Sequence, residues 1–248
     1  MIVSFLQWNV LYTEEPDKII KLLKELKPDI FALQELTANF AIHNGKNVPD
    51  TIAKELGYDY YEKLSTGSSN ESDEKFGNGI FSRLPIVNKE FQWINEYDPK
   101  VEKGYDNEYK AYVEISVRIQ DKILTIGTAH MSYTHRFINY PRKRKEADKL
   151  LKILKAKRNN YIFSGDLNSR PNSYTVKSIS KLLKHVGPKF SEKTWTTKPF
   201  SYRGFEETEL NWRLDYIFAT TDLKIVSSEI VKTDYSDHLP ILVKIEVD

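Results

Sequence analysis

The order of strand and helix patterns limits the possible folds of this chain more than any other feature. An apolar strand pattern at residues 2–8 is followed by DKIIKLLKELKPD, in which apolar side chains recur at helical spacing, and then by the strand pattern DIFALQEL. Pro28 ends the helix pattern between the two strands. Strand, helix and strand in this order predict one βαβ unit with a right-handed crossover.

The rest of the chain contains many strand patterns and few helix patterns. We expect helices at residues 50–56, at residues 142–157, and from Asn172 or Ser173 to His185, with a polar loop at residues 65–75. The expected strands are GIFS, IVNKEFQWI, AYVEISVRI, KILTIGTAH, YIFSGDLN, RLDYIFAT, KIVSSEIV and HLPILVKIEV. A doubly wound sheet or an eightfold βα barrel needs more helices, so the sequence favours an α/β sandwich of two sheets with helices outside.

Composition narrows the class of protein. The 248 residues contain no linker-like segment, and we expect a single domain over residues 1–248. The absence of cysteine excludes disulfides, thiolate metal sites and cysteine nucleophiles. No apolar run approaches the roughly 20 residues that span a bilayer, and the N-terminus lacks a signal-peptide pattern. We expect a cytoplasmic protein without a membrane anchor, and a monomer.

One segment, PRKRKEADKLLKILKAKR at residues 141–158, is strongly basic although the net charge of the chain is only +2. A basic helix of this kind is either a solvated surface or a surface that faces a polyanion such as nucleic acid. Both interpretations stay open from the sequence.

Polar and ionisable side chains collect where the predicted strands begin or end. In open α/β sheets, ligands bind in the crevice beyond the strand ends, so we expect these side chains to share one site. They are Asn9, Gln34, Glu35, His130, Asp166, Asn168, Asp215, Asp237 and His238.

The residue types limit the chemistry of that site. Carboxylates and an asparagine are hard oxygen ligands, which suit Mg²⁺ and also Mn²⁺. His130 and His238 can move a proton or stabilise charge on a phosphate. Asp166 and Asn168 lie two positions apart and would face the same way in an extended chain. Asp215 is available to hold a histidine in one tautomer.

Seven short motifs support a more specific interpretation. In chain order they are QWNV, PDIFALQEL, GNGIFSRLPI, GTAH, FSGDLNSRP, RLDYIFAT and YSDHLPI. In content and order they resemble the motifs of the endonuclease/exonuclease/phosphatase superfamily, which includes deoxyribonuclease I, and the similarity extends from Gln7 to Leu242. The resemblance implies a four-layered α/β/β/α sandwich, in which two mixed β-sheets pack face to face with helices outside.

The resemblance also implies which residues bind the metal. Glu35 corresponds to the principal Mg²⁺ ligand, with Asn9 beside it, and Asp237 corresponds to a second acidic residue near the metal. Apart from the resemblance, candidates for contacts with the substrate are Asn78, Arg170 and Trp212, although a glycine-flanked asparagine such as Asn78 is more often a turn or bulge residue.

The catalytic residues that the resemblance implies are two histidines and their neighbours. Asp166 and Asn168 would align the attacking water and hold the phosphate, and His238 would share in deprotonating the water. His238, paired with Asp215, and His130 would face the scissile phosphate.

These assignments predict a Mg²⁺-dependent phosphodiesterase in which water attacks a phosphoester in line. The basic segment and the aromatic residues in predicted loops favour nucleic acid as the substrate, because bases stack on aromatic rings. The enzyme would then be a nuclease or would process DNA ends. One alternative is a phosphatase or a phospholipase-C-like hydrolase of small-molecule or lipid phosphoesters. A second is a phosphate-binding module without activity, which the full set of acidic and histidine residues disfavours.

Overall fold

Two six-stranded β-sheets pack face to face in the computed structural model of the chain, which describes residues 1–66 and 73–247. The strands of the described part are β1 (Ile2–Asn9), β2 (Ile30–Ala38), β3 (Asp59–Ser65), β4 (Lys75–Ser82), β5 (Ile86–Asn95), β6 (Lys110–Ile119), β7 (Lys122–His130), β8 (Tyr161–Asp166), β9 (Lys184–His185), β10 (Phe200–Tyr202), β11 (Phe205–Glu207), β12 (Asp215–Ala219), β13 (Lys224–Ile230) and β14 (Ile241–Glu246). The helices are α1 (Pro16–Leu26), α2 (Val48–Leu56), α3 (Pro141–Lys155) and α4 (Tyr174–Ile179). Because α1 and α2 cover one sheet and α3 and α4 the other, the four-layered α/β/β/α sandwich is confirmed.

Each sheet contains a parallel pair of strands joined by a helix. The first sheet has the order β13–β14–β1–β2–β4–β3, with β1 and β2 parallel and α1 between them, as the sequence predicts. The second has the order β5–β6–β7–β8–β12–β9, with β7 and β8 parallel and α3 between them. Parallel neighbours bring their carboxyl ends to the same edge. Asn9, His130 and Asp166 are the last residues of β1, β7 and β8.

The last strand shows how side-chain alternation builds two cores at once. Ile241, Val243 and Ile245 of β14 enter the aliphatic layer between the sheets, and Leu242 packs with the residues under α1. Successive side chains of a strand point to opposite faces, so Leu242 faces the helix layer while its neighbours face the other sheet. Lys244, on the same side of β14 as Leu242, is exposed. Burying one apolar side chain of β14 contributes roughly 1.5–3 kcal/mol.

The structure differs from the sequence predictions at three places. The helix expected to reach His185 ends at Ile179, because Leu183 and Val186 are buried and His185 pairs with β12 as a short edge strand. Strand β3 and the hairpin of β10 and β11 were not predicted. The side chains of β3 after the first residue are all half-buried, so the strand lacks a clear alternation. Within the expected polar loop, residues 67–72 lie outside the described residues.

Helix α3 carries the basic segment on the outer face of the second sheet. Leu150 and Leu154 are buried, whereas Lys145, Lys149 and Lys152 are exposed. This arrangement supports the interpretation of a solvated helix face. No helix of the described residues is long and apolar enough to cross a membrane.

Gly165 stands directly before Asp166 at the end of β8. A Cβ at this position would collide with the carbonyl oxygen of Ala129 on β7, and the φ of 155° is one that other residues rarely adopt. We predict that Gly165→Ala lowers the free energy of unfolding by about 3 kcal/mol, because collision and backbone strain add. Urea unfolding followed by circular dichroism measures the change.

Gly104→Ala, in the loop between β5 and β6, is the matched control for this prediction. A Cβ there meets only the end of the Asp106 side chain, so the free energy of unfolding should change by less than about 0.5 kcal/mol. Equal stability of Gly165→Ala and the parent protein would contradict the close approach of β7 and β8.

Candidate active site

The backbone of β2 is distorted at Glu35, the residue expected to bind the metal. Glu35 has a φ of 64°, and the pairing of β2 with β4 shifts register between Leu33 and Leu36. Such a bulge redirects a side chain that would otherwise follow the alternation of the strand. The Glu35 carboxylate accepts hydrogen bonds from the side-chain amide of Asn9 (3.0 Å) and from the backbone N–H of Tyr12 (3.0 Å).

The turn before β14 is fixed to the end of β1. Ser236 Oγ donates to the carbonyl of Asn9 at 2.7 Å, and the N–H of His238 donates to Ser236 Oγ at 3.1 Å. Trp8 Nε1 donates to the carbonyl of His238 at 2.9 Å. Asp237 turns away from its neighbour, and one of its oxygens accepts from Trp195 Nε1 at 2.8 Å. This turn therefore brings Asp237 and His238 to the strand ends, each with a different partner.

His238 forms a buried carboxylate–histidine pair. Its Nδ1 lies 2.8 Å from Oδ2 of Asp215, and Gln7 Nε2 donates to the other oxygen of Asp215 at 2.8 Å. Asp215 and Gln7 are fully buried. Such a pair fixes the orientation of the imidazole and leaves Nε2 directed at the site.

A turn at the end of β8 places Asp166 and Asn168 side by side. Asn168 has a left-handed φ of 45°, and its N–H donates to Asp166 Oδ1 at 2.8 Å. Its side-chain amide donates to the carbonyl of Met131 (2.9 Å) and lies 3.1 Å from His130 Nε2. The two side chains thus share one face as the sequence predicts, but through a turn and not through an extended chain.

Asp166 lies at the centre of the site. Its Oδ2 is 3.5 Å from His130 Nε2 and 3.6 Å from His238 Nε2, and it accepts from Asn9 Nδ2 at 3.0 Å. Two histidines from different sheets therefore approach one carboxylate oxygen.

Of the three residues expected to bind a metal, Glu35 and Asp237 suit a hard divalent cation and Asn9 does not. Glu35 and Asp237 are carboxylates that line the same cavity. Burial raises the pKa of Glu35, and the negative charge of Asp237 raises it further. A divalent cation between them would offset both effects. Asn9 has a different position, because its amide oxygen accepts from the N–H of Leu11 (3.1 Å) and its amide nitrogen bridges Glu35 and Asp166.

A second cluster of possible ligand atoms consists of Asp166, Asp215 and His238, whose atoms lie within 4.8 Å of one another. Both oxygens of Asp215 accept hydrogen bonds, from Gln7 and from His238. Asp215 is also fully buried and does not line the cavity, whereas Glu35 and Asp237 both line it, so these two are the better candidates for the metal.

The two histidines have opposite electrostatic environments. Burial lowers the pKa of His130 well below its ordinary value, and the charges of Lys110 and His238 lower it further. Burial acts in the same direction on His238, but Asp215 and Asp166 outweigh it and hold the pKa of His238 well above its ordinary value. Burial raises the pKa of Asp166 to about 7, against the lowering effect of His238. Groups whose pKa values are shifted in opposite directions in this way can serve as a separate acid and base.

The site opens into a cavity of about 520 Å³. Glu35, His130, Asp166, Asp237 and His238 form its polar floor. Aromatic side chains form most of its walls: Tyr12, Phe40, Phe76, Tyr105, Tyr109, Tyr133, Phe137, Trp195 and Phe200.

The three residues expected to contact the substrate do not line this cavity. Asn78 is buried behind it, and its side-chain amide donates to the carbonyl of Ala111 at 2.9 Å, which links β4 to β6. Arg170 stacks on Trp212, with 4.5 Å from its guanidinium to the ring centroid, and both line a separate surface depression. Trp212 contacts Phe137, a wall residue, from the outer side.

Sequence reasoning missed several residues that shape the site. Gln7 lies inside the QWNV motif, but nothing in its spacing indicates a contact with Asp215. Tyr12 and Lys110 line the cavity from segments that carry no motif. The position of Lys110 at the start of a strand is the one signal that could have pointed to it.

The chain belongs to the endonuclease/exonuclease/phosphatase family, since the model of that family matches residues 6–238. Members of this family are hydrolases that act on phosphoesters and generally depend on a divalent metal. No curated protein matches this sequence.

Solved structures with the same fold come from proteins of different activity. The endonuclease/exonuclease/phosphatase from Beutenbergia cavernae has a TM-score of 0.77 at 18% identity, over 99% of this chain and 72% of its own. D. rerio TDP2 complexed with a single-strand DNA product has a TM-score of 0.71 at 19% identity, over 99% of each chain. A mannosyl-6-phosphatase from Bacteroides thetaiotaomicron has a TM-score of 0.66 at 19% identity, over 99% of this chain and 100% of its own. At these identities the likeness shows the fold alone.

The environments of His130 and His238 predict separate titrations. In the protein kept in EDTA, at a pH equal to the ordinary imidazole pKa of about 6.5, His130 should be neutral and His238 should be protonated, because a carboxylate pair stabilises the His238 cation. NMR spectra of ¹⁵N-labelled imidazoles report both states directly. Asp215→Asn should lower the pKa of His238, whereas Asp222→Asn, in an exposed turn, should leave it unchanged. Titration of both histidines together near their ordinary pKa would contradict the geometry.

Proposed function

We propose that this protein is a Mg²⁺-dependent phosphodiesterase that cleaves phosphoester bonds in nucleic acid. The observation that carries the proposal is the convergence at Asp166. One oxygen of this buried carboxylate lies within 3.6 Å of both His130 Nε2 and His238 Nε2, beside Glu35 on the floor of one cavity. Such a constellation can position a water, remove its proton and stabilise a phosphate at the same time.

Each group has a distinct part in this proposal. Asp166 accepts the proton of the attacking water, since a base with a pKa near the working pH is the most effective. Asn168 orients Asp166 through its N–H. His238 stabilises the charge that develops on the phosphate, because Asp215 holds it as a cation. This assignment moves the proton abstraction from His238, where the sequence had placed a share of it, to Asp166.

Glu35 and Asp237 would hold the Mg²⁺, and Asn9 would keep Glu35 in place through its amide. When bound, the cation supplies charge neutralisation for the phosphate and for the leaving oxygen. Lys110 is the only lysine or arginine among the described residues that line the cavity. Its Nζ donates to Glu108 at 2.8 Å, and its positive charge lowers the pKa of His130. Lys110 therefore adds positive charge to the site.

The walls of the cavity support nucleic acid as the substrate. Nine of the lining residues are aromatic, and aromatic faces bind unpaired bases without regard to sequence. The structure of D. rerio TDP2 with a single-strand DNA product shows that this fold can accommodate a single strand. The basic segment on α3 gives no support, because none of residues 141–158 lines the cavity.

A phosphatase of a compact phosphoester is the second candidate. The observation that favours it is the presence of one lysine in the cavity lining, where a groove for a long polyanion would carry several cations. The mannosyl-6-phosphatase of the same fold acts on a substrate of that kind.

We predict that the protein cleaves single-stranded DNA with Mg²⁺ and loses this activity in EDTA. Glu35→Gln should lower turnover about a thousandfold with the fold intact, because the variant keeps the side-chain volume but loses the charge that holds the cation. Assays on single-stranded DNA, 5′-tyrosyl DNA, RNA and mannose 6-phosphate, with and without EDTA, measure both effects.

Glu55→Gln is the matched control, because Glu55 lies on α2 in an exposed ion pair with Lys24. Its turnover should equal that of the parent protein. Full activity of Glu35→Gln in EDTA would contradict the proposed metal site. Cleavage of mannose 6-phosphate without cleavage of any nucleic acid would favour the second candidate.

A further inference from the structure

Two exposed tyrosines flank the polar floor of the cavity from opposite sheets. Tyr12 follows β1 of the first sheet and is 38% exposed, and Tyr105 lies in the loop between β5 and β6 of the second sheet and is 42% exposed. Both line the cavity, whereas Asp166 and His238 at its floor are at most 4% exposed. Both rings are therefore accessible from solvent and line the same cavity as the floor.

Neighbouring aromatic side chains hold each tyrosine in place. Tyr12 contacts Phe40 and Phe76 edge to face, with ring centroids 6.1 and 6.0 Å apart. Tyr105 contacts Tyr133 edge to face at 5.9 Å and Tyr202 at 5.0 Å. Such contacts stabilise ring orientation beyond the burial of area. A ring that is fixed before binding loses little entropy when a ligand stacks on it.

The residues that line the cavity favour a planar ring over an acyl chain as the bound group. Nine of its lining residues are aromatic, and Leu11 is the only aliphatic one among the described residues. Glu74 and Glu108 also line the cavity, and Glu108 is paired at 2.8 Å with Lys110, the one lysine of the described lining. Little positive charge is therefore left for a second phosphate on that side. A nucleobase next to the scissile phosphate satisfies both conditions.

We propose that Tyr12 and Tyr105 form a ring-binding subsite that holds the base of the nucleotide adjoining the scissile phosphate. This inference rests on the proposed function and names the part of the substrate that the site recognises. The substrate would then be a terminal or unpaired nucleotide of a strand, because a base held in a duplex is not free to stack on rings inside the cavity.

The test compares a dinucleotide with its analogues in which one base or the other is replaced by hydrogen. Tyr12→Leu and Tyr105→Leu keep an apolar side chain and remove the ring, and each should lower kcat/KM on the dinucleotide about tenfold, through KM. On the analogue that lacks the bound base, the same variants should equal the parent protein. Tyr12→Phe and Tyr105→Phe should stay within about twofold on both substrates. Tyr140→Leu, an exposed tyrosine that does not line the cavity, is the matched control.

The outcomes separate this inference from the proposed function. Equal losses on the dinucleotide and on both analogues, or no loss in the leucine variants, would overturn the ring-binding subsite while the parent protein still cleaves nucleotides. Failure of the parent protein to cleave the dinucleotide, together with cleavage of mannose 6-phosphate or of a lipid phosphoester, would overturn the proposed function and the subsite with it.

Discussion

One carboxamide connects the two halves of the candidate site. Asn9 Nδ2 donates to Glu35 of the first sheet and to Asp166 of the second, at 3.0 Å each, and it is fully buried. Two carboxylates that approach each other in a poorly solvated place repel unless a donor lies between them. This side chain therefore helps to set the distance between the proposed metal carboxylate and the proposed base. The pairs Gln7–Asp215 and Gln34–Thr128 also join the two sheets at their shared edge.

The sandwich makes this connection possible because each sheet has a parallel pair near its middle. The carboxyl ends of β1 and β2 meet those of β7 and β8, and the turn before β14 adds Asp237 and His238. The apolar layer between the sheets holds these ends at a fixed separation, since close-packed cores resist small displacements. The fold thus supports a site whose ionisable groups would be costly to bury one by one.

The sequence predicts the parts of the site that lie on strands better than the parts that lie on loops. Asn9, His130 and Asp166 end apolar strands, and strand ends of one sheet edge meet in space, so their convergence follows from the pattern. The place of Arg170 and Trp212 depends on how the loops after β8 and before β12 fold back, which local patterns do not encode. The roles of Tyr12 and Lys110 depend on contacts between the two sheets, and the short α4 depends on the burial of Leu183 and Val186.

The central claim is that Glu35 and Asp237 bind the cation while Asp166 and the two histidines face the phosphate. A crystal structure grown with Mn²⁺ and a nucleoside 5′-monophosphate tests it most directly, because Mn²⁺ gives an anomalous signal. We expect the anomalous peak between the carboxylates of Glu35 and Asp237, with the phosphate between His130 and His238. A peak held by Asp166, Asp215 and His238, or a phosphate bound outside the cavity, would contradict the claim.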